Sequence, residues 1–134
     1  MKFLLDVSAL VSLAALDHEF HDRATRWIEN LARGRKPDLA TCSITELGFV
    51  RVMAQAPQYG LDVLQAKELL HRIKTVTDAR FTFFADNNDV SHLPSWVRTA
   101  KQTTDGHLAE LARSNGAVLA TFDRNIRGAF LIPL

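Results

Sequence analysis

The sequence predicts an α/β sandwich with a mostly parallel central sheet. Short apolar runs alternate with amphipathic helical stretches along the chain, the signature of βα units. The first run, Lys2 to Leu5, is apolar without polar alternation, as a strand covered on both faces is. No repeat, low-complexity tract or linker divides the 134 residues, a length that suits one domain, 1–134, with a full core.

Taken in order, Lys2 to Leu5 is the first strand, and Ser8 is positioned to cap a helix from Ala9 to Leu16. A second helix runs from about Glu19 to Ala32, with Ala24, Trp27, Ile28 and Leu31 on one face. The Gly-broken basic stretch Arg33 to Pro37 is a loop, and Leu39-Ala40-Thr41 a short strand. Helices follow at about Ile44 to Ala54 and Leu61 to Lys74, separated by a turn around Pro57 and Gly60. Phe81 to Phe84 is a strand, Ala85 to Ser95 a polar loop, and Pro94-Ser95-Trp96 the start of a short helical piece. Thr104 caps a helix that ends near Ser114 at Gly116. Ala117 to Ala120 and Ala129 to Ile132 complete the strands.

Lys and Arg number 16 and Asp and Glu 15, so the formal net charge is +1 and no global field advertises a nucleic-acid partner. One cysteine, Cys42, excludes an internal disulfide and a thiolate metal site, and a reducing, cytoplasmic setting is expected. A single lysine and a short apolar run broken by Asp6 make neither a signal peptide nor a membrane span.

Four acids stand where this fold can gather them. Asp6 ends the first apolar run, and Asp123 follows Val118-Leu119-Ala120 by two residues. Glu46 and Asp105 fall in the first turns of helices. Ligands of open parallel sheets bind beyond the carboxyl ends of the strands, where Asp6 and Asp123 lie. Each acid also has a local role available. Glu46 fits a capping box with Ser43, Asp105 suits a helix N-terminus, and Asp123 suits a turn cap. Asp6 is hardest to place without a partner, because an acid after a buried run is costly. Two like charges about 4 Å apart repel by roughly 4 kcal/mol at an effective dielectric near 20, so converging acids protonate, splay or bind a cation. All-oxygen ligands point to Mg²⁺ or Mn²⁺, which polarises a phosphodiester and activates water.

The segments Leu5-Asp6-Val7-Ser8, Thr45-Glu46-Leu47, Thr104 to Ala109 and Ala120 to Asn125 together resemble the PIN-domain nucleases. Within them the chain is most similar to the VapC-type toxins of toxin–antitoxin pairs, over nearly its whole length. The resemblance implies a PIN-like (Rossmann-like) α/β/α sandwich and an Mg²⁺- or Mn²⁺-dependent endoribonuclease. Asp6, Glu46, Asp105 and Asp123 would be its catalytic and metal-binding acids. Ser8, Thr121 and Asn125 match supporting positions. A cognate antitoxin and a homodimer are further implications. Gly106 stands where similar chains often have alanine, and Ile126 where an aromatic is common.

Outside the acids, Arg124 and Arg127 are candidates for holding the RNA backbone, and Trp96 or His92 for stacking on a base, with packing under the loop the alternative for Trp96. The basic loop of Arg33, Arg35 and Lys36 reads as a solvated surface, with phosphate contact as its alternative. His18 and His21, three residues apart, read as solvent-facing or capping residues, with a metal pair lacking an evident third ligand as the alternative. His107 is expected at the site mouth, with no general-base role required of it. Arg51 reads as pointing to solvent or a partner. A response-regulator receiver would need paired acids near the first strand and a late lysine, whereas Asp6 has no acidic neighbour and the last lysine is Lys101. A non-catalytic PIN-like RNA-binding or scaffolding module is the remaining alternative, one expected to have lost some of the acids.

Overall fold

The structure, a computed structural model, describes residues 1–76 and 78–134. Five parallel strands form its sheet: β1 (Lys2–Leu5), β2 (Asp38–Cys42), β3 (Arg80–Phe84), β4 (Ala117–Thr121) and β5 (Phe130–Leu131), in the order β3-β2-β1-β4-β5. Helices α1 (Val7–Ala14), α2 (His21–Ala32), α3 (Ser43–Gln55), α4 (Val63–Val76) and α5 (Thr103–Ser114) connect them. From β1 the chain builds outward to β2 and β3 on one side, then returns to place β4 and β5 on the other. The order therefore reverses between β1 and β4. The crevice outside their carboxyl ends is where open α/β sheets take ligands.

Alternation along the strands divides the core in two. Phe3, Leu5, Leu39 and Ala120 pack under α1 to α4, with Leu10, Trp27, Phe49 and Leu70 among their neighbours. Leu4, Ala40, Cys42 and Leu119 face the opposite way, onto Leu108, Leu111 and Ala112 of α5. Four helices thus cover one face and one covers the other. Among the described residues, no helix is long and apolar enough to cross a membrane.

Register then fixes the site. Leu5 stands opposite Ala120, and the Asp6 amide extends the ladder by donating to the Ala120 carbonyl at 3.2 Å. Asp6 and Thr121 are consequently neighbours at the strand ends. Close helix packing holds this region. A Cβ added at Gly48 of α3 would lie 2.4 Å from Cγ2 of Val7, the residue after Asp6. A Cβ at Gly106 would lie 2.2 Å from Cγ2 of Val97, so here the valine fills the space an alanine methyl would take.

Several local expectations are corrected. The N-cap of α1 is Asp6, whose Oδ1 accepts from the Ala9 amide at 2.8 Å, and Ser8 lies inside the helix. At α3 the cap comes from Thr45, whose Oγ1 accepts from the Cys42 amide at 3.0 Å. Ser43 and Glu46 make no capping box. Helix α5 starts at Thr103, after Gln102, so Thr104 lies within it. Residues 94–96 are not helical; 3₁₀ turns lie at Val90–His92 and Ala100–Gln102 instead.

Candidate active site at the sheet switch point

Asp6 leaves β1 as the cap of α1, Asp123 follows β4 by two residues, and Asp105 rides in the first turn of α5. The three carboxylate residues line one cavity of about 350 Å³. Ser8 and Thr121 line it as well. The cavity sits at the reversal of strand order between β1 and β4. A larger cavity, about 520 Å³, is lined by Leu13, Ile28 and Ile73 among others and holds none of the candidate acids.

The acids are held in strained electrostatic company. Burial pushes the Asp6 carboxyl above the ordinary aspartate range; hydrogen bonding to the Thr121 hydroxyl and the Ala9 amide pulls it back, and the charges of Asp105 and Asp123 push it further up. Burial likewise raises Asp105, and the nearby charge of Asp123 adds to the rise. Backbone geometry orients Asp123. Its amide donates to Thr121 Oγ1 at 3.0 Å, and its Oδ1 accepts from the Asn125 amide at 2.9 Å. Thr121 is 1% exposed, so its single hydroxyl serves both aspartates from inside the protein.

Glu46 departs from the four-acid expectation. It does not line the cavity; its Oε2 accepts from Thr41 Oγ1 at 2.6 Å and pairs with Lys74 of α4. The physical reason is competition, since the Lys74 ammonium neutralises this carboxylate where it stands. Asn125 touches the site through its backbone and lines a different cavity together with Arg127. Arg124 is exposed on the same loop and does not line the acidic cavity.

Other residues reach the site without having been singled out for it. Glu19, His18 and Phe20, from the segment between α1 and α2, line the cavity, and Ile126 closes its floor from the loop after β4. His18 acts as a local cap, its Nδ1 accepting from the Phe20 amide at 3.0 Å, and His21 Nδ1 donates to the Ser12 carbonyl at 2.8 Å. Phe20 stacks on Phe122 at 4.5 Å between ring centroids, and the Arg23 guanidinium lies over both rings. The sequence signal for Glu19 was faint: an acid in the Asp17-His18-Glu19 turn, whose path only the fold reveals.

An all-oxygen, anionic donor set of this kind fits a hard divalent cation. Mg²⁺ needs one or two carboxylates and keeps its remaining waters, so Asp6, Asp105 and Asp123 suffice in number. Among the described residues no three His, Cys, Asp or Glu side chains are gathered closely enough to hold an ion by themselves.

Sheet order, switch-point cavity and converging aspartates define an α/β/α protein with an acidic site. The family model for the PIN domain matches residues 3–129. Ribonuclease VapC44 of Mycobacterium tuberculosis is 38% identical over 135 residues, covering 94% of this chain and 89% of the relative. Ribonuclease VapC38 of the same organism is 38% identical over 129 residues, covering 92% and 86%. Two solved structures share the fold. VapBC2 of Rickettsia felis, bound to a DNA fragment from its promoter, matches with a TM-score of 0.60 at 15% identity, over 98% of this chain and 97% of that one. PAE2754 of Pyrobaculum aerophilum matches with a TM-score of 0.58 at 23% identity, over 98% and 90%. The chain belongs to the PIN-domain family, among its VapC-type members.

Proposed function

We propose that this chain hydrolyses RNA phosphodiester bonds as a metal-dependent endoribonuclease and is the toxin of a VapBC-type toxin–antitoxin pair. The observation that carries the reading is the convergence of Asp6, Asp105 and Asp123 on one cavity at the switch point of a PIN fold. These three would hold Mg²⁺ or Mn²⁺, with Glu46 joining them when its carboxylate turns from Lys74. Bound there, the ion supplies Lewis-acid polarisation of the phosphodiester and activation of water.

The chain's own residues prepare that chemistry. The Ala9 amide and Thr121 hydroxyl fix the orientation of Asp6, and the Asn125 amide fixes that of Asp123. Ser8 lines the cavity beside them. Arg124 and Arg127, on the loop after Asp123, hold the RNA backbone against the repulsion of the acids. A cognate antitoxin is the expected partner of a VapC-type chain. Exposed apolar side chains of Leu47 on α3 and Val63 and Leu64 on α4 support a homodimer. The whole chain acts as one domain around a single sheet, in a cytoplasmic setting.

Purified protein incubated with RNA should cleave it with Mg²⁺ or Mn²⁺, stop in EDTA, and recover when excess Mn²⁺ is restored. Undiminished cleavage in EDTA would remove the metal from the reading. Retained RNA binding with no cleavage under any of these conditions would favour a non-catalytic module.

Glu46 has a test of its own. Glu46→Gln is expected to raise the Mn²⁺ concentration needed for half-maximal cleavage by roughly 10–100-fold, the usual cost of losing a supporting ligand. Lys74→Met should move that requirement the other way, because it removes the competing cation. If neither variant alters the Mn²⁺ dependence, the contact is a surface ion pair worth about 0–1 kcal/mol and nothing more.

A further inference from the structure

A second cavity, of about 400 Å³, draws on the same loop after β4: Asp123 lines the acidic cavity, Asn125 lines the second, and the Asn125 amide donates to Asp123 Oδ1 at 2.9 Å. It is lined by Ser95, Trp96, Arg98, Gln102, Asn125 and Arg127. We propose that this cavity is an RNA subsite that holds a nucleotide neighbouring the scissile phosphate, its phosphate on Arg98 and Arg127 and its base against Trp96. The assignment rests on the nuclease reading of the acidic cavity.

Charge is the first support. Among the described residues, Lys74, Arg80 and Arg113 are each paired with a carboxylate, whereas Arg98 and Arg127 have none within ion-pair distance. Two guanidinium groups without a carboxylate partner therefore line this cavity, whose Asn125 bonds to Asp123 of the acidic one. With a net charge of only +1, the protein has no overall field to hold RNA there. The anchor must be local, and guanidinium is the side chain that grips phosphate in a bidentate manner.

Side-chain chemistry is the second support. Trp96 is half-buried in the wall of the cavity, packed against the apolar cluster under α5, so its ring is presented by a rigid neighbour. Aromatic faces stack on unpaired bases irrespective of sequence. Gln102 is oriented too. Its Oε1 accepts from the Arg98 amide at 2.8 Å and the Thr99 amide at 3.2 Å, which leaves its NH₂ as the donor available to a base edge or phosphate. Asn125 lines the same cavity and supplies a second side-chain amide. Cation, ring and amides together match one nucleotide of single-stranded RNA.

The test measures binding separately from cleavage. In an Asp6→Asn background, the affinity for a fluorescein-labelled, random-sequence single-stranded RNA is read by anisotropy across a salt series. The Arg98→Ala/Arg127→Ala double variant should bind at least about tenfold more weakly, with the slope of log affinity against log salt reduced by roughly 0.7 for each arginine. Trp96→Leu should lose about five- to hundredfold, the range of one base–aromatic stack, with the salt slope unchanged. Melting curves check that each variant is folded. The control removes equal charge elsewhere, as Arg33→Ala/Arg35→Ala, and should match the parent. Parent-like affinity and slope in the Arg98/Arg127 variant, or an equal loss in the control, overturn the subsite. The chain with Asp6 intact, tested on the same RNA with Mn²⁺, reports on the nuclease reading independently: no cleavage there sinks that reading, even where the arginine and tryptophan losses sustain the binding pocket.

Discussion

Asp6→Asn is expected to reduce RNA cleavage by a factor on the order of 10² or more, the scale on which an active site loses one electrostatic element, while leaving the fold as stable as the parent or more so. The two halves of this result have separate causes. Asp6 is the acid at the strand reversal, flanked by the charges of Asp105 and Asp123, so its loss removes the centre of the donor set. Stability moves the other way because burial and those neighbours raise its pKa above the ordinary aspartate value. A raised acid favours the folded state least when ionised. Its penalty sets in as pH climbs past the unfolded value, about 3.9, and persists at neutral pH. Asparagine caps a helix about as well as aspartate, so the Ala9 bond is kept. Cleavage rates and melting temperatures at pH 4 and pH 7 check both halves, with the variant's advantage expected to be larger at the higher pH. Cleavage at the parental rate would move the site elsewhere. A pronounced fall in melting temperature would make Asp6 a structural cap first.

Thr121→Val is the second large effect, and it reaches two acids through one atom. Valine fills the same space but brings a methyl where the hydroxyl stood. The Asp123 amide then loses its acceptor, and Asp6 loses a partner of its charged form, at a position 1% exposed. Leaving such groups unpaired costs about 1–3 kcal/mol each, more where charge is involved. The expected outcome is a clear drop in melting temperature together with cleavage slowed by about tenfold or more, since both acids lose their aim. Thr121→Ser keeps the hydroxyl and should restore cleavage more fully than it restores stability. Equal cleavage by the valine and serine variants would mean that the hydroxyl positions nothing.

What the sequence disclosed follows from periodicity and connectivity. The runs ending at Leu5 and Ala120 could be read as neighbouring parallel strands, and the register that pairs those two residues brings Asp6 and Asp123 to one edge. Asp105 was legible as a first-turn residue of the α5 stretch. Glu46 was legible as a first-turn acid, but not its partner. Lys74 lies 28 residues away on another helix, and such side-chain pairing has no local signature. Capping was misjudged where two residues compete for one role: Asp6 outcompetes Ser8, and Thr45 outcompetes the Ser43–Glu46 pair. Glu19 and Phe20 were missed as cavity residues because a turn between helices has no periodicity from which to aim its side chains. The helical piece expected at 94–96 failed for a related reason, since Pro94 suits a turn as readily as a helix start.

The contact between Gly48 and Val7 sets how Glu46 would join the three aspartates in the proposed metal site. With no Cβ on Gly48, α3 already rests on the side chain next to Asp6, and van der Waals contact leaves no slack for the helix to advance. Glu46, two residues earlier on the same helix, therefore has a fixed root. Its recruitment to the proposed metal site would be a matter of side-chain torsion about that root, a fast local rotation compared with the microsecond-to-millisecond sliding of helices. The site would in this respect be a hinge of a few single bonds on a stationary frame.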